Sequence, residues 1–223
     1  MPSKTDYPQS DNIQGYWKLD EASGNATDYS GNSNTLTDTN SVGTNAEFLA
    51  GANCRDFEAG SSMYFTIADG SQTGLDITGS LTCSVWYKGE TVQLGGVVGK
   101  WPSSGNYSYV LYIDTDDHIK MGVSNNGTTT VYNEGGTTLV AGIWYFLTWR
   151  HDADNDELEV FVNSHSDATP TAHTTGLYNG NGAFEVGAYG ASNYFDGELA
   201  EVVIWNTALT TSEIKQAMEV WRP

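Results

Sequence analysis

The chain has 223 residues, 28 of them acidic and 9 basic, and its formal net charge is −19 at pH 7. A surface this acidic repels nucleic acid and anionic membranes, and no basic patch in the sequence offers either a contact. No apolar stretch approaches the length of a membrane span, so membrane insertion is excluded as well. The acidic charge alone is also explained by solubility.

Residues 1–12 are polar and irregular, and they are predicted to form an arm or linker that is free to dock elsewhere. No apolar run follows Met1, so the start of the chain does not have the pattern of a signal peptide. The remainder, residues 13–223, shows no interior break in composition and no repeat of fixed period. We therefore expect one domain, which is an ordinary length for a β-sandwich.

From residue 13 onward, short runs of β-branched and aromatic residues alternate with turns rich in Asn, Asp and Gly, a rhythm typical of antiparallel β-structure. The predicted strands are 13–19, 63–67, 81–87, 107–113, 119–123, 129–132, 144–150, 158–162, 184–186 and 199–205.

The alternation within these strands predicts which side chains are buried, because neighbouring side chains point to opposite faces. Leu81, Cys83 and Val85 should enter the core. Trp86 and Phe161 then fall on the less buried side, where they would line a concave surface.

One helix is predicted, at about residues 211–220. Thr210 and Glu213 have the spacing of a capping box, and apolar residues follow at helical intervals from Ile214 to Trp221. Its apolar stripe should lie against the sandwich. Cys54 and Cys83 are the only cysteines; we favour two buried thiols, although the sequence alone leaves a disulfide open.

Signatures of catalysis are absent. A hydrolase of this architecture needs carboxylates at alternating positions of one strand, and Glu198 and Glu201 have no acidic residue between them. The four histidines are scattered, without metal-binding spacing, and residues 152–156 resemble a hairpin turn more than a calcium loop. The sequence therefore predicts a protein that is not an enzyme.

The loop after the first strand is the better metal candidate. Asp20, Glu21, Asp28, Ser30 and Asn32 supply the hard oxygen ligands that calcium prefers, among glycines that let carbonyls turn inward. If the last strand pairs with the first, Glu201 or Asp196 would complete the shell. The alternative is a solvated turn without metal.

Aromatic side chains near turns are the candidates for ligand contact, because flat rings beside amides and carboxylates suit a sugar or a protein surface. The chain has 13 Tyr and 7 Trp. The predicted contact residues are Trp101, Tyr107, Tyr178, Tyr189 and Tyr194, and Tyr109 and Tyr112 also deserve inspection.

Ordered motifs along residues 13–215 resemble the laminin G-like, concanavalin A-like jelly rolls, especially their pentraxin-related branch. These motifs are Tyr16-Trp17-Lys18-Leu19-Asp20-Glu21 with Gly24, Asp28-Tyr29-Ser30-Gly31-Asn32, Leu81-Thr82-Cys83-Ser84-Val85-Trp86, Trp144-Tyr145-Phe146 with Trp149, and Phe195-Asp196-Gly197-Glu198-Leu199-Ala200-Glu201-Val202-Val203-Ile204-Trp205-Asn206.

The resemblance implies an antiparallel β-sandwich jelly roll that binds carbohydrate or protein ligands without catalysis. It also implies a structural calcium ion, held by Asp28, Asn32 and Glu201. Many relatives carry Asp immediately before the position of Glu201, where this chain has Ala200, so one ligand of that shell is missing.

The function expected from this resemblance is recognition or adhesion. Because Met1 is followed by no export signal, we expect a phage or viral structural protein that decorates a capsid or tail, attached to a shell or tail protein through residues 1–12. The alternative is the carbohydrate-binding domain of a secreted or cell-surface bacterial protein, and a third is a polysaccharide-active hydrolase or lyase. The expected location is the virion or the extracellular space; the ligand and the oligomeric state are not specified by the sequence.

Overall fold

The computed structural model describes residues 2–221. It contains one α-helix, α1 (Thr211–Glu219), five short 3-10 turns and a series of β-strands. The strands are β1 (Ile13–Trp17), β2 (Thr37–Thr39), β3 (Gly43–Asn45), β4 (Cys54–Phe57), β5 (Tyr64–Ile67), β6 (Leu81–Gly89), β7 (Gly95–Lys100), β8 (Tyr107–Ile113), β9 (His118–Gly127), β10 (Thr130–Thr138), β11 (Tyr145–Asp152), β12 (Glu157–Val162), β13 (His165–Ser166), β14 (Thr171–Ala172), β15 (Phe184–Val186) and β16 (Gly197–Trp205).

These strands form two antiparallel sheets packed face to face, which confirms the predicted β-sandwich jelly roll. The nine-stranded sheet has the order β13-β12-β11-β6-β16-β4-β3, with β1 also paired to β16 and β14 to β12. The seven-stranded sheet has the order β10-β9-β8-β7-β15-β5-β2. Among the residues that the structure describes, no helix is both long and apolar enough to cross a membrane.

The space between the sheets is filled by the main apolar core. Leu81, Cys83 and Val85 are fully buried there, as the alternation in β6 predicts. Trp17 of β1 stacks on Phe184 of β15 with ring centroids 5.1 Å apart, so the first strand is tied to the opposite sheet.

A second apolar cluster covers the outer face of the nine-stranded sheet. It contains Trp86, Phe161 and Trp205 from the strands and Ile214 and Met218 from α1. Alternation correctly places Trp86 and Phe161 opposite the main core. The prediction that both line a concave surface is wrong for Phe161, which α1 and neighbouring loops bury, whereas Trp86, 7% exposed, borders a cavity beside α1.

Helix α1 begins and ends close to the predicted positions. The Thr210 side chain accepts a hydrogen bond from the Glu213 backbone N–H, and the Glu213 carboxylate accepts one from the Thr210 N–H, which completes the capping box. Ile214, Ala217 and Met218 form its buried stripe.

The N-terminal segment, described over residues 2–12, packs on this same face, so the prediction of a free arm is wrong. Tyr7 is only 4% exposed, and its ring lies edge-on to Tyr16 at 5.2 Å. The indole N–H of Trp205 donates to the Pro8 carbonyl at 2.9 Å. Most polar side chains of the segment are exposed or half-buried, and the buried Tyr7 ring, with a hydrogen bond from Lys4 to the Ser30 carbonyl, holds it on the domain.

Both cysteines are free thiols buried in the fold. Cys54 belongs to the outer cluster and Cys83 to the core between the sheets. Because their side chains lie on opposite faces of one sheet, no disulfide can join them without moving the backbone. Burial raises the pKa of Cys54 to about 11, so this thiol stays protonated at neutral pH.

We predict that Tyr7→Ala lowers the free energy of unfolding by about 3–5 kcal/mol, because it removes a buried ring and a buried hydrogen bond. Chemical denaturation measures this change, and Thr5→Ala, at an exposed position of the same segment, should leave stability within about 0.5 kcal/mol of the parent. Equal stability of the two variants would mean that the segment is free.

Candidate functional site

The two ends of the chain meet at the pairing of β1 with β16, as the matched end motifs predict. Tyr16 lies opposite Val203, and Trp17 opposite Val202. Trp17 also forms an isolated bridge with Asp28, which brings the acidic loop beside the first strand.

Asp28 organises this loop through hydrogen bonds. Its Oδ1 accepts from the backbone N–H groups of Tyr16 (3.1 Å) and Ser30 (2.8 Å). Its Oδ2 accepts from the Ser30 hydroxyl (2.7 Å) and the Asn34 N–H (2.8 Å). Four donors thus satisfy the carboxylate, which acts as the centre of a turn.

Glu201 lies at a bulge in β16, where its φ of 54° is left-handed and the pairing with β6 shifts register. The side chain is 2% exposed, and its Oε2 accepts hydrogen bonds from the hydroxyls of Tyr7 (2.5 Å) and Tyr16 (2.8 Å). Burial raises the pKa of Glu201 to about 7, against the lowering effect of those two hydroxyls.

This arrangement does not fit a calcium ion shared by Asp28, Asn32 and Glu201. Asp28 binds the backbone N–H of Tyr16, whereas Glu201 binds the hydroxyl at the far end of the same tyrosine. Calcium ligands must lie within about 2.6 Å of the ion, so their oxygens must be neighbours. Asn32 directs its amide N–H to the Gln14 carbonyl at 3.0 Å, and the Asp196 carboxylate accepts from the Ala59 N–H (3.2 Å) and the Thr91 hydroxyl (2.6 Å).

A connected group of aromatic rings lies on the outer side of the seven-stranded sheet, and we name it the aromatic surface. It comprises Trp101, Tyr107, Tyr112, Tyr132 and Tyr189. Trp101 stacks on Tyr107 at 4.4 Å and approaches Tyr132 at 6.4 Å. Tyr112 lies 6.4 Å from Tyr132 and 5.6 Å from Tyr189.

Strand alternation and glycine explain how these rings come together. Leu111 and Ile113 of β8 enter the core, so Tyr112 points outward. Gly122 of β9 faces the Tyr132 ring, and a Cβ built at Gly122 would lie 2.8 Å from that ring. The missing side chain thus leaves the space in which Tyr132 lies flat on the sheet.

Polar groups border the aromatic surface. The Lys120 ammonium lies 5.7 Å from the centre of the Tyr132 ring and forms ion pairs with Glu134 and, at 3.7 Å, with Asp114. Burial raises the pKa of both Tyr112 and Tyr189. Their hydroxyls therefore stay neutral and can donate hydrogen bonds at physiological pH.

Three of the five predicted contact residues, Trp101, Tyr107 and Tyr189, belong to this surface. Tyr178 lies beside it: a Cβ built at Gly127, the partner of Tyr107 in the sheet, would lie 2.7 Å from the Tyr178 ring. Tyr194 packs instead against Tyr64 of β5. Its ring makes no contact with those of the aromatic surface among the described aromatic pairs.

Sequence reasoning missed Tyr132, and it included one residue that faces the wrong way. Tyr109 is fully buried between the sheets. Tyr132 is 39% exposed, but its strand has no clear apolar alternation that would single it out. The one sequence signal for Tyr132 was an aromatic residue in a predicted strand that follows the Asn-Gly turn at the end of β9.

A cavity of about 1020 Å³ opens on the opposite side of the molecule, beside α1. Its lining includes Trp86, Trp144 and Met218, with Asn163 and Lys215 among the polar groups. A mostly apolar cavity of this size can hold a small ligand. It is a second location to be distinguished from the aromatic surface by experiment.

Comparison with known proteins agrees with this architecture. A laminin G family profile, described as the concanavalin A-like lectin/glucanases superfamily, matches residues 59–215. The chain belongs to this superfamily. No curated protein sequence matches it.

Several solved structures share the fold. The binding domain of Paraclostridial Mosquitocidal Protein 1 superposes with a TM-score of 0.72 at 14% identity, over 95% of this chain and 52% of that one. Domain 4 of AbnA, an extracellular arabinanase of family GH43 from Geobacillus stearothermophilus in complex with arabinotriose, gives 0.66 at 14% identity, over 93% and 98%.

The ligand-binding domain of botulinum neurotoxin serotype D, in complex with N-acetylneuraminic acid, gives a TM-score of 0.68 at 12% identity, over 94% of this chain and 51% of that one. This chain therefore spans about half the length of the toxin domains and nearly all of the arabinanase domain. These structural neighbours include domains in complex with sugars and a receptor-binding domain of a botulinum neurotoxin.

The raised pKa of Glu201 predicts a pH dependence of stability. Between pH 4.5, its ordinary value, and about 7, the folded state keeps a proton that the unfolded state has lost. The contribution of Glu201 to stability is therefore complete below pH 4.5 and declines as pH rises to about 7.

Glu201→Gln has no such proton. We therefore compare the free energy of unfolding of the parent with that of the variant, measured by denaturation at several pH values. The parent value minus the variant value should decrease as the pH is raised from about 4.5 to about 7. The difference removes contributions from other titrating groups, and a difference that is constant with pH would contradict the assignment.

Proposed function

We propose that the chain is a non-catalytic carbohydrate-recognition module, and that the aromatic surface contacts the sugar. The observation that carries this proposal is the continuous path of ring contacts from Tyr107 through Tyr132 to Tyr189 on one outer face. Within residues 2–221 no helix covers that face, since α1 packs on the other sheet.

The chemistry of this surface suits a sugar. The C–H faces of a pyranose or furanose ring pack against aromatic rings, while the hydroxyls need donors and acceptors at the edge. Tyr132 presents an exposed ring, and Lys120 and Glu134 stand beside it with partly exposed side chains. Tyr112 and Tyr189 add neutral hydroxyls.

The comparisons support a carbohydrate ligand without identifying it. The arabinanase domain is in complex with arabinotriose, and a neurotoxin domain with N-acetylneuraminic acid. A further neurotoxin domain is in complex with rat synaptotagmin II, so protein receptors occur among the neighbours too. The exposed ring of Tyr132, the half-buried rings beside it and the polar border favour the sugar.

Absence of catalysis is part of the proposal. In the described residues, Glu198 and Glu201 have separate surroundings, since Glu198 pairs with Lys88 at 2.7 Å and Glu201 with two tyrosine hydroxyls. Neither environment presents a pair of carboxylates on the aromatic surface. Incubation with a panel of polysaccharides, including arabinan, should release no reducing sugar.

A virion or extracellular location stays a prediction. Attachment to a shell or tail protein through residues 1–12 would use the exposed side chains of that segment, such as Thr5 and Asp6, while Tyr7 stays buried. The segment packs on the nine-stranded sheet and the aromatic surface lies on the other sheet, so sugar binding and particle attachment are separable functions.

We predict that Tyr132→Ala and Tyr112→Ala each weaken binding to an immobilised glycan by about tenfold, the equivalent of about 1.4 kcal/mol. A glycan array with arabino-oligosaccharides and sialylated glycans selects the ligand, and calorimetry then gives the affinity. The matched control is Tyr194→Ala, which removes a tyrosine ring located outside the aromatic surface.

Two results would contradict the proposal. If the parent protein binds no glycan on the array, carbohydrate recognition is wrong. If binding is lost in Trp144→Ala and retained in Tyr132→Ala, the sugar occupies the cavity beside α1 instead.

A further inference from the structure

Three carboxylates lie together on the nine-stranded sheet, away from both the aromatic surface and the Asp28 loop. Glu198 of β16 is directly opposite Asp56 of β4 on one side and Lys88 of β6 on the other. Glu90 follows the end of β6, held by the hydrogen bond from its N–H to the Asp196 carbonyl at 3.1 Å. We name Asp56, Glu90 and Glu198 the acidic triad.

The triad has the dimensions of a calcium site. One carboxylate oxygen from each residue lies within 4.8 Å of those from the other two. Calcium binds oxygen at 2.3–2.6 Å, so ligands on opposite sides of the ion are separated by about 4.6–5.2 Å. These separations are compatible with one ion bound by all three carboxylates.

Two buried oxygens of the triad lack a partner among the described residues. Glu198 is only 1% exposed; its Oε1 binds Lys88 (2.7 Å) and the Asn45 amide (3.2 Å), but its Oε2 has no hydrogen bond. Oδ1 of Asp56 is also buried and unpaired. Buried acceptors without donors are costly, so these two oxygens are available to a bound cation or a water molecule.

The charges point the same way. The Lys88 ammonium is shared between Glu198 and Glu47, at 2.7 Å from each. In the described part of the chain, Asp56 and Glu90 make no salt bridge of their own. The carboxylates of Asp56 and Glu198 lie on facing strands, where like charges repel each other. Burial, followed by repulsion from neighbouring carboxylates, raises the pKa of Glu90, and burial raises that of Asp56 and Glu198 despite the opposing effect of Lys88.

We propose that the acidic triad binds a calcium ion. Asp56 and Glu198 supply buried ligands from two paired strands, and the exposed Glu90 leaves an open side through which the ion enters and where water completes the shell. Lys88 keeps its place on Oε1 of Glu198, so Oε2 is free for the ion.

Such an ion would fasten β4 and β16 to the connection that follows β6. It would place calcium near the closing strand, as the sequence predicts, but on residues other than Asp28, Asn32 and Glu201. This proposal does not depend on the identity of the ligand at the aromatic surface.

Calorimetric titration with calcium chloride, on protein first treated with chelator and dialysed, tests binding directly. We expect one ion per chain, and a melting temperature that rises with calcium concentration because the ion binds only the folded site. Glu90→Gln and Asp56→Asn should each weaken calcium binding at least tenfold and reduce the rise in melting temperature.

Two controls locate the ion. Glu58→Gln removes an exposed carboxylate that also acts on Glu90 electrostatically, and it should leave the affinity within about threefold of the parent. Asp28→Asn should lower the melting temperature, because Asp28 organises its loop, while keeping the calcium-dependent rise.

Glu90 is exposed, so its variant is expected to fold, and the experiment stays decisive if Asp56→Asn does not. The proposal is overturned if the parent protein takes up no calcium. It is equally overturned if calcium affinity survives Glu90→Gln or is lost in Asp28→Asn instead.

Discussion

Strand β16 is buried on both faces along all nine of its residues. The elements that pack on either side of it provide this burial, and the rest of the fold depends on it. Its inner side chains, among them Leu199 and Val202, enter the core between the sheets. Its outer side chains, among them Val203 and Trp205, need a second cover, because apolar surface left in water is unfavourable. Helix α1 and the N-terminal segment supply that cover from the two ends of the chain. The ends therefore meet at β16 because each of them completes the burial of the same strand.

Because both chain ends pack on the nine-stranded sheet, the outer faces of the two sheets differ. The outer face of the nine-stranded sheet is largely covered by α1 and the N-terminal segment, and a cavity opens beside α1. No helix of the described residues packs on the seven-stranded sheet, and the tyrosine rings on its outer side stay partly accessible to solvent. The Tyr132 ring is 39% exposed. It therefore leaves apolar surface in water, and an external ligand could cover that surface. The aromatic surface follows from which face the chain termini happen to cover.

Two glutamates three residues apart on β16 show how strongly local geometry decides chemistry. Glu198 faces the acidic triad and Lys88, whereas Glu201, at the bulge with positive φ, faces the hydroxyls of Tyr7 and Tyr16. In the sequence, the pair lacks the central acidic residue of a catalytic carboxylate motif. In the structure each belongs to a separate polar cluster, one short of positive charge and the other satisfied by neutral donors. Part of the acidic excess of the chain therefore lies at these two buried positions of β16.

The sequence by itself determined the antiparallel β-rhythm, the buried face of Leu81, Cys83 and Val85, and the helix capped by Thr210 and Glu213, because each follows from local periodicity or capping geometry. Strand β7 escaped prediction since Gly95, Gly96 and Gly99 interrupt its apolar pattern, yet a Cβ at Gly96 would lie 2.3 Å from the backbone of Ala188. That requirement exists only after a distant loop has packed on the strand. Tertiary structure likewise decided three other features. It buried Tyr7, placed Tyr132 outward beside Gly122, and brought Asp56 close to Glu90 and Glu198. Each depends on pairing between strands far apart in sequence, and the order of those strands is fixed by burial of the whole sheet rather than by any neighbouring residue.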